Sequence, residues 1–463
     1  MRLLSTKGKG AQATAALLAR LSNPGESAYE RVIAKAQSIV GAVRRGGDRA
    51  LLRYRAKFDG VAATAPLRVS PEQMEAAWRE LSAERKAAYR QAAKNIRRFA
   101  ERQRPRDFML AVAPGVVAGQ RVVPLASVGC YVPSGRYPLP STLLMTAIPA
   151  QVAGVERIVA VSPRPVAETL AAAYLLEIEE FYAIGGAQAV AALAYGTESL
   201  PRVDKIVGPG NAYVTAAKKL VSFDCGIDML AGPTEIAVVS ESDPAEPGVV
   251  AGIATDLIAQ AEHDADAVAM LFTSRTDLAR AVLAEVRERM RDNAVAKESL
   301  AKNGSIVVTK SAEEARALAN QMAPEHLTVD REEDLTWVRH AGSVFVGPWS
   351  AQSLGDYVTG PNHTLPTSGL ARLRGGLSVV DYVKLITVQH YTAQGIEAVG
   401  PAAVLLAESE GLKGHAESVR LRLDLASRKS KRKSASQGPK GTAQQEPARQ
   451  QSAKQQSAQR RRK

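Results

Sequence analysis

The sequence predicts an α/β protein built on parallel sheets, with helical segments at both ends. Two observations carry this expectation. Between residues 157 and 346, short runs rich in β-branched residues alternate with stretches of helical periodicity, the pattern of βαβ units. Composition agrees: 46% hydrophobic and 23% charged residues in a chain of 463 mark a globular protein too long for one core, so two or more domains are expected.

Taken in order, residues 27–58 and 71–99 read as helices. Strands are expected at 157–161, 181–184, 205–207, 236–239, 267–272, 306–308 and 344–346. Helices are expected between them at 166–176, 187–194, 212–221, 249–263, 277–290 and 312–321. Ligands of such sheets are expected at the carboxyl ends of the strands. From Asp381 onward the chain reads as helical again, and no internal repeat is evident.

Net charge and cysteine content narrow the class. The formal charge of +13 is concentrated from Arg428 onward, where 12 basic residues face one acid, Glu446; the tail holds +11 and the body only +2. A basic body, which a nucleic-acid-binding protein requires, is therefore missing. The tail, 428–463, lacks core-forming residues and is expected to be a disordered basic appendage that touches polyanions only weakly and without sequence readout. Cys130 and Cys225 are too few for a disulfide framework or a thiolate cage, so any metal is held by nitrogen and oxygen ligands, in keeping with a reducing cytoplasm. No stretch approaches the roughly 18 uninterrupted apolar residues of a membrane span.

The chain has six histidines, and four stand in or beside polar clusters that packing does not require: Gln260-Ala261-Glu262-His263, Pro324-Glu325-His326, Gly355-Asp356 with Asn362-His363, and Glu410 with His415. Imidazoles gathered with carboxylates suit a metal site and a proton-transfer site, and zinc is the most economical occupant. On the helix expected over 249–263, Gln260 and His263 flank the apolar stripe Val249, Ile253, Leu257 and Ala261, so both reach one point in space. That pair alone is more often a packed or capping histidine than a ligand pair, since Gln is an uncommon zinc ligand and HExxH is missing. Pro324 ends a helical run and puts Glu325 and His326 on a short connection, either an exposed loop pair or two proton acceptors facing one cleft. The stretch 355–367, rich in Gly, Pro and Asn, reads as a surface loop or as one ordered around a ligand, with Asp356 a candidate oxygen ligand and His363 a substrate contact. His340 and His390 have no such company.

Eight motifs then share one order along the chain: SVGCYVPSGRYPLPSTLLM (127–145), IGGAQAVAALAYGT (184–197), KIVGPGNAYVTAAK (205–218), IDMLAGPTE (227–235), DLIAQAEHD (256–264), APEHL (323–327), the 355–367 loop and EGLKGHAESVRLR (410–422). In these the sequence resembles the histidinol dehydrogenase family, from about Ser27 to Leu425. The resemblance implies one zinc ion per subunit on Gln260, His263, Asp356 and His415, and proton acceptors at Glu325 and His326. It implies that L-histidinol is held by Thr234, His326, His363 and Glu410 together with the metal ligands, and that NAD contacts Tyr131, Gln188 and Asn211. The reaction implied is oxidation of L-histidinol to L-histidine through L-histidinaldehyde, with two NAD and one water. A cytoplasmic homodimer with shared active sites is implied as well. So are two Rossmann-like domains: an arm at 1–26, a catalytic domain at 27–130 plus 236–376, a cofactor domain at 131–235, and a helical dimerisation segment at 377–427.

Departures from the family pattern leave alternatives. Ser134-Gly135 stands where Gly-Gly is usual, followed by Arg136-Tyr137, and Thr234 replaces a common Ser while keeping the hydroxyl. Arg136 keeps open a paralogue that oxidises another primary alcohol, such as a sulfonated diol. A zinc hydrolase shares the ligands and needs no nicotinamide site. Cys130, beside Tyr131, invites a thioester route for the aldehyde, but no histidine or lysine motif adjoins it.

Overall fold

The computed structural model describes residues 1–8, 10–22, 27–134 and 137–435. It divides into two compact units, the first made of residues 1–106 and 122–385, the second of 107–121 and the chain from Ile386.

The first unit holds two six-stranded sheets. In the first sheet the strands lie in the order Arg2–Ser5, Ser305–Val308, Val268–Thr273, Glu235–Val239, His326–Val329, Ser343–Val346, all parallel. Glu235–Val239 and Val268–Thr273 are apolar runs buried from end to end, as strands covered on both faces must be. Alternate side chains serve opposite faces. Ile236 and Val238 join Leu257, Leu278 and Leu300 of the helices Val249–Ala261, Thr276–Arg289 and Ala294–Lys302. Ala237 and Val239 join Leu17, Ala319 and Met322 of the helices Gly10–Ser22 and Ala312–Met322.

The second sheet runs Arg68–Val69, Glu180–Tyr182, Arg157–Val161, Ser127–Tyr131, Lys205–Val207, Gly226–Ile227, parallel except for the antiparallel edge strand Arg68–Val69. Ser127–Tyr131 lies between Arg157–Val161 and Lys205–Val207, so successive strands are added on opposite sides of it. Such a reversal opens a crevice at the carboxyl ends.

Several boundaries differ from the sequence reading, each for a local reason. Residues 27–130 were expected with the first sheet; of these, 107–121 belong to the second unit and the rest pack with the second sheet. Ile39, Val43 and Leu51 of the helix Ser27–Asp59 share a core with Leu193 and Val214, Ile96 of Ala83–Gln103 shares one with Ile148, and Ser127–Tyr131 is a central strand of that sheet. Residues 1–26, expected as an arm, supply the edge strand Arg2–Ser5 of the first sheet and the helix Gly10–Ser22. The helix expected over 71–99 is two, Pro71–Glu80 and Ala83–Gln103: Leu81 is extended (ψ 141°) and the Ser82 hydroxyl accepts from the Arg85 N–H, starting a new helix. His326, expected on a connection, opens a strand because it pairs with both Ile236 and Ser343.

In the second unit Phe108–Ala113 pairs antiparallel with Val116–Pro124 around Gly115 (φ +77°). Where the sequence reads as helical from Asp381, the chain first forms the strand Val383–Tyr391, which adds to Val116–Pro124; its Ile386, Thr387 and Val388 favour a strand. The helices Ala393–Ser409 and Lys413–Ala435 then pair as a hairpin, with Gly400 set close against the Leu423 side chain. The second helix runs through Ala435, so residues 428–435 are helical rather than disordered. The rest of the expected tail lies outside the described residues. Leu405, Leu406, Leu421 and Leu425 of this hairpin are exposed, as are Phe108, Met109 and Leu110. No described helix is long and apolar enough to cross a membrane.

Candidate active site

Two ends of two sheets supply the chemistry. In the second sheet Tyr131 closes a strand, Asn211 caps the helix that follows Lys205–Val207, and Gln188 lies in the helix that follows Glu180–Tyr182, so these three stand at carboxyl ends as expected. The first sheet departs from the rule. Thr234, Glu325 and His326 stand at the amino ends of Glu235–Val239 and His326–Val329, and Gln260 and His263 at the carboxyl end of the helix Val249–Ala261. A helix returning between parallel strands runs against them, so it carries its last turn to their amino ends.

Six of the expected residues, Thr234, His263, Glu325, His326, Asp356 and His363, line one cavity of about 170 Å³, which Gly208, Pro209 and Asp228 of the second sheet also wall. Gln260 is fully buried behind it. Its Nε2 donates to the Thr234 hydroxyl, which donates to Glu325 Oε2, while Gln352 Nε2 donates to Gln260 Oε1 at 2.6 Å. The backbone of Glu235 serves both Glu325 and His326: its N–H donates to Glu325 Oε2 at 2.9 Å, and its carbonyl accepts from His326 Nδ1 at 3.1 Å. Because a carbonyl only accepts, Nδ1 carries the proton and Nε2 is left as the basic atom, 3.8 Å from Asp356 Oδ1. His363 is held the same way, with Nδ1 donating to the Asp356 carbonyl at 2.8 Å and Nε2 3.3 Å from the Thr142 hydroxyl.

Burial dominates the electrostatics. It lifts the Glu325 carboxyl to about 7, against the downward pull of its bonds from Thr234 and the Glu235 N–H. Asp356 is lifted to about 6 by burial, with His326 pulling the other way, and Glu235 to about 8. The imidazoles move down: desolvation lowers His326 and His263, and takes His363 to about 4. Neutral imidazoles beside a carboxyl that titrates near neutrality make a site that accepts protons at physiological pH.

A second cavity of about 710 Å³ is lined by Tyr131, Gln188 and Asn211 together with Asp59 and Arg164. Gln188 is buried, yet its Nε2 has no partner among the described residues. A third hollow of about 450 Å³ shares Asn211 and Pro133 with this cavity and Thr234 and His263 with the smaller one. Tyr137 lines it; Gly135 and Arg136 lie outside the described residues.

Metal-binding potential rests on Gln260, His263 and Asp356. Among the described residues no three His, Cys, Asp or Glu side chains gather as a metal cage. Among those same residues, however, the Asp356 carboxylate has only His326 as an ion-pair partner, and the His263 ring makes no hydrogen bond or ion pair, feeling only the charges of His326 and Glu262. Glu410 and His415 belong to the second unit, both exposed, at the turn and start of its helical hairpin. Cys130 is packed in the core with Val128 and Leu143, and burial pushes its thiol up to about 12, which rules out a ready thiolate. Residues missed in the sequence are Glu235, Gln352 and Thr142. Glu235 acts through its backbone, which no side-chain pattern announces.

The family profile of histidinol dehydrogenase matches residues 23–423. The chain belongs to the histidinol dehydrogenase family. It is 45% identical over 435 residues to the histidinol dehydrogenase of Syntrophotalea carbinolica, covering 91% of this chain and 99% of that one. The histidinol dehydrogenase of Methanothermobacter thermautotrophicus is 46% identical over 408 residues, 85% of this chain and 93% of its own length. The crystal structure of the Elizabethkingia anophelis enzyme superimposes with a TM-score of 0.84 at 34% identity, covering 92% of this chain and 98% of that one. Membership of this histidinol dehydrogenase family does not favour the diol-oxidising alternative.

Proposed function

We propose that this chain oxidises L-histidinol to L-histidine through L-histidinaldehyde, with two NAD and one water, as a cytoplasmic enzyme of histidine biosynthesis. The observation that carries the chemistry is the pairing of His326, pinned at Nδ1 with Nε2 free, and Glu325, titrating at about 7, in one cavity.

In the first oxidation His326 Nε2 takes the hydroxyl proton while the carbinol carbon releases hydride to the nicotinamide. Glu325, held by Thr234 and the Glu235 N–H, draws a proton from water as that water adds to the aldehyde carbon, while His326 returns its proton to the aldehyde oxygen and is again neutral. His326 then accepts a proton from the hydrated aldehyde as the same carbon gives up its second hydride, leaving the carboxylic acid. Neutral His363 lies within reach of the substrate's polar groups.

The 710 Å³ cavity suits NAD: its size is that of a cofactor site, and Gln188 Nε2 is a buried donor awaiting an acceptor. Zinc suits the smaller cavity, because the Asp356 carboxylate, which faces only His326, and the His263 ring, with the Gln260 amide oxygen, offer oxygen and nitrogen donors to a divalent cation. When bound, zinc supplies a Lewis-acid anchor for the substrate's amino and imidazole nitrogens. The fourth ligand, in this reading, is the partner subunit's His415, with the partner subunit's Glu410 on the substrate. The exposed leucines of the hairpin support docking of a second copy.

A substrate panel tests the reading. NADH should form with L-histidinol and not with other amino alcohols or sulfonated diols; a faster rate with a sulfonated diol would favour the paralogue instead.

A further inference from the structure

We infer that Lys218 and Asp228 are positioning residues that clamp the Gly208 peptide and so fix the loop that walls the smaller cavity at Gly208 and the larger one at Asn211. This rests on the functional reading above and adds to it a pair that touches neither proton acceptor.

Lys218 lies on the helix Ala212–Val221 and Asp228 just beyond the strand Gly226–Ile227, and both are buried. Asp228 Oδ2 accepts from the Gly208 N–H at 2.7 Å, and Lys218 Nζ donates to the Gly208 carbonyl at 3.0 Å. The ion pair between Lys218 Nζ and Asp228 Oδ1 closes the ring, and the Met229 N–H donates to the same oxygen at 2.6 Å. The peptide groups flanking one Cα are thus held from both sides. Although Asp228 borders the 170 Å³ cavity, both its oxygens are engaged, so its role is to hold the loop.

The clamped residue is where movement would be felt. Gly208 has φ +108°, and a Cβ there would stand 2.2 Å from the Tyr131 carbonyl, so its backbone abuts the strand that ends in the cofactor cavity. Gly208 and Pro209 wall the substrate cavity, and Asn211, three residues on, lines the cofactor cavity. A buried ion pair is weak as a source of stability, since neutral groups of similar size often replace it without loss. Its geometric effect is the stronger reason for its presence: hydride transfer is sensitive to misplacement of about 1 Å, worth about 100-fold in rate.

The test compares the full-length enzyme with Lys218→Met/Asp228→Asn, which removes both charges together, and with Lys218→Arg, which keeps the charge pair but alters the contact to Gly208. Tm, NADH affinity, kcat and the isotope effect with carbinol-deuterated L-histidinol are measured. Expected for the double variant are a Tm close to wild type, NADH affinity within about 3-fold, kcat about 100-fold lower and a raised isotope effect; Lys218→Arg should show the same pattern, about 10-fold in kcat. Wild-type kcat and isotope effect in the folded double variant would overturn the inference. If that variant does not fold, the same result in Lys218→Arg overturns it. The wild-type rate measured alongside reports on the histidinol reading, so failure of that reading is distinguished from failure of the clamp.

Discussion

Glu325→Gln should separate the two oxidations. Burial raises the Glu325 carboxyl from 4.5 to about 7, so at about pH 8 the group is mainly carboxylate and at about pH 6 mainly acid. Gln preserves the size and an acceptor for the Thr234 hydroxyl but takes no proton. A positioned base contributes roughly 10²–10⁴-fold, so at about pH 8 oxidation of histidinaldehyde should fall at least ~100-fold. Oxidation of histidinol to the aldehyde should change only ~3-fold, and the rise of the aldehyde rate through about pH 7 should disappear. His326→Asn should depress the first oxidation, which Glu325→Gln spares, and the second as well, since His326 is the base in both hydride steps. NADH formation from each substrate, assayed separately across pH, reads both effects. Equal losses in both half-reactions for both variants would refute the division of labour. The same shift bears on stability. Because the folded value lies above the unfolded 4.5, the stabilising contribution of the neutral carboxyl is full below pH 4.5 and is lost as pH rises through about 7. That loss approaches roughly 3 kcal/mol. Metal-stripped Glu325→Gln should therefore be more stable than its parent at about pH 9 and equal to it at about pH 4.

Three further outcomes are expected. The purified enzyme should carry about one zinc per chain, and Gln260→Ala, His263→Ala and Asp356→Ala should each lower that content; full occupancy in all three would remove the ligand assignment. A His415→Ala chain mixed with a His263→Ala chain should regain activity after subunit exchange, because one site of each mixed dimer then receives only intact ligands. No recovery in a mixture shown to contain heterodimers would mean that each chain builds its own site. Gln188→Leu should raise KM for NAD about 10-fold with little change in kcat, from loss of one buried hydrogen bond, and an unchanged KM would move NAD out of that cavity.

Legibility in the sequence followed locality. Lys205–Val207 and Ala212–Val221 were readable to the residue because an apolar run and a periodic helix are bounded by Gly and Asn. His326–Val329 was not, since its strand state depends on pairing with Ile236 and Ser343, which lie far along the chain or across a loop. Val383–Tyr391 failed for the same reason, its partner being Val116–Pro124. Within the site, side-chain clusters marked Gln260, His263, Glu325, His326, Asp356 and His363, all of which the fold brings into or against one cavity. Tyr131 and Asn211 were named only through the family resemblance; they stand at carboxyl ends, as the general rule expects, whereas that rule misplaced Thr234, Glu325 and His326, which stand at amino ends in the first sheet. The tautomer of His326 was invisible: it is set by the Glu235 carbonyl, a backbone group brought alongside by strand pairing.

The central claim is that one carbon loses two hydrides in one site, and product stoichiometry tests it most directly. With L-histidinol limiting and NAD in excess, the account predicts two NADH and one L-histidine for each histidinol consumed, with no free aldehyde accumulating. One NADH per histidinol with histidinaldehyde as the end product would contradict it.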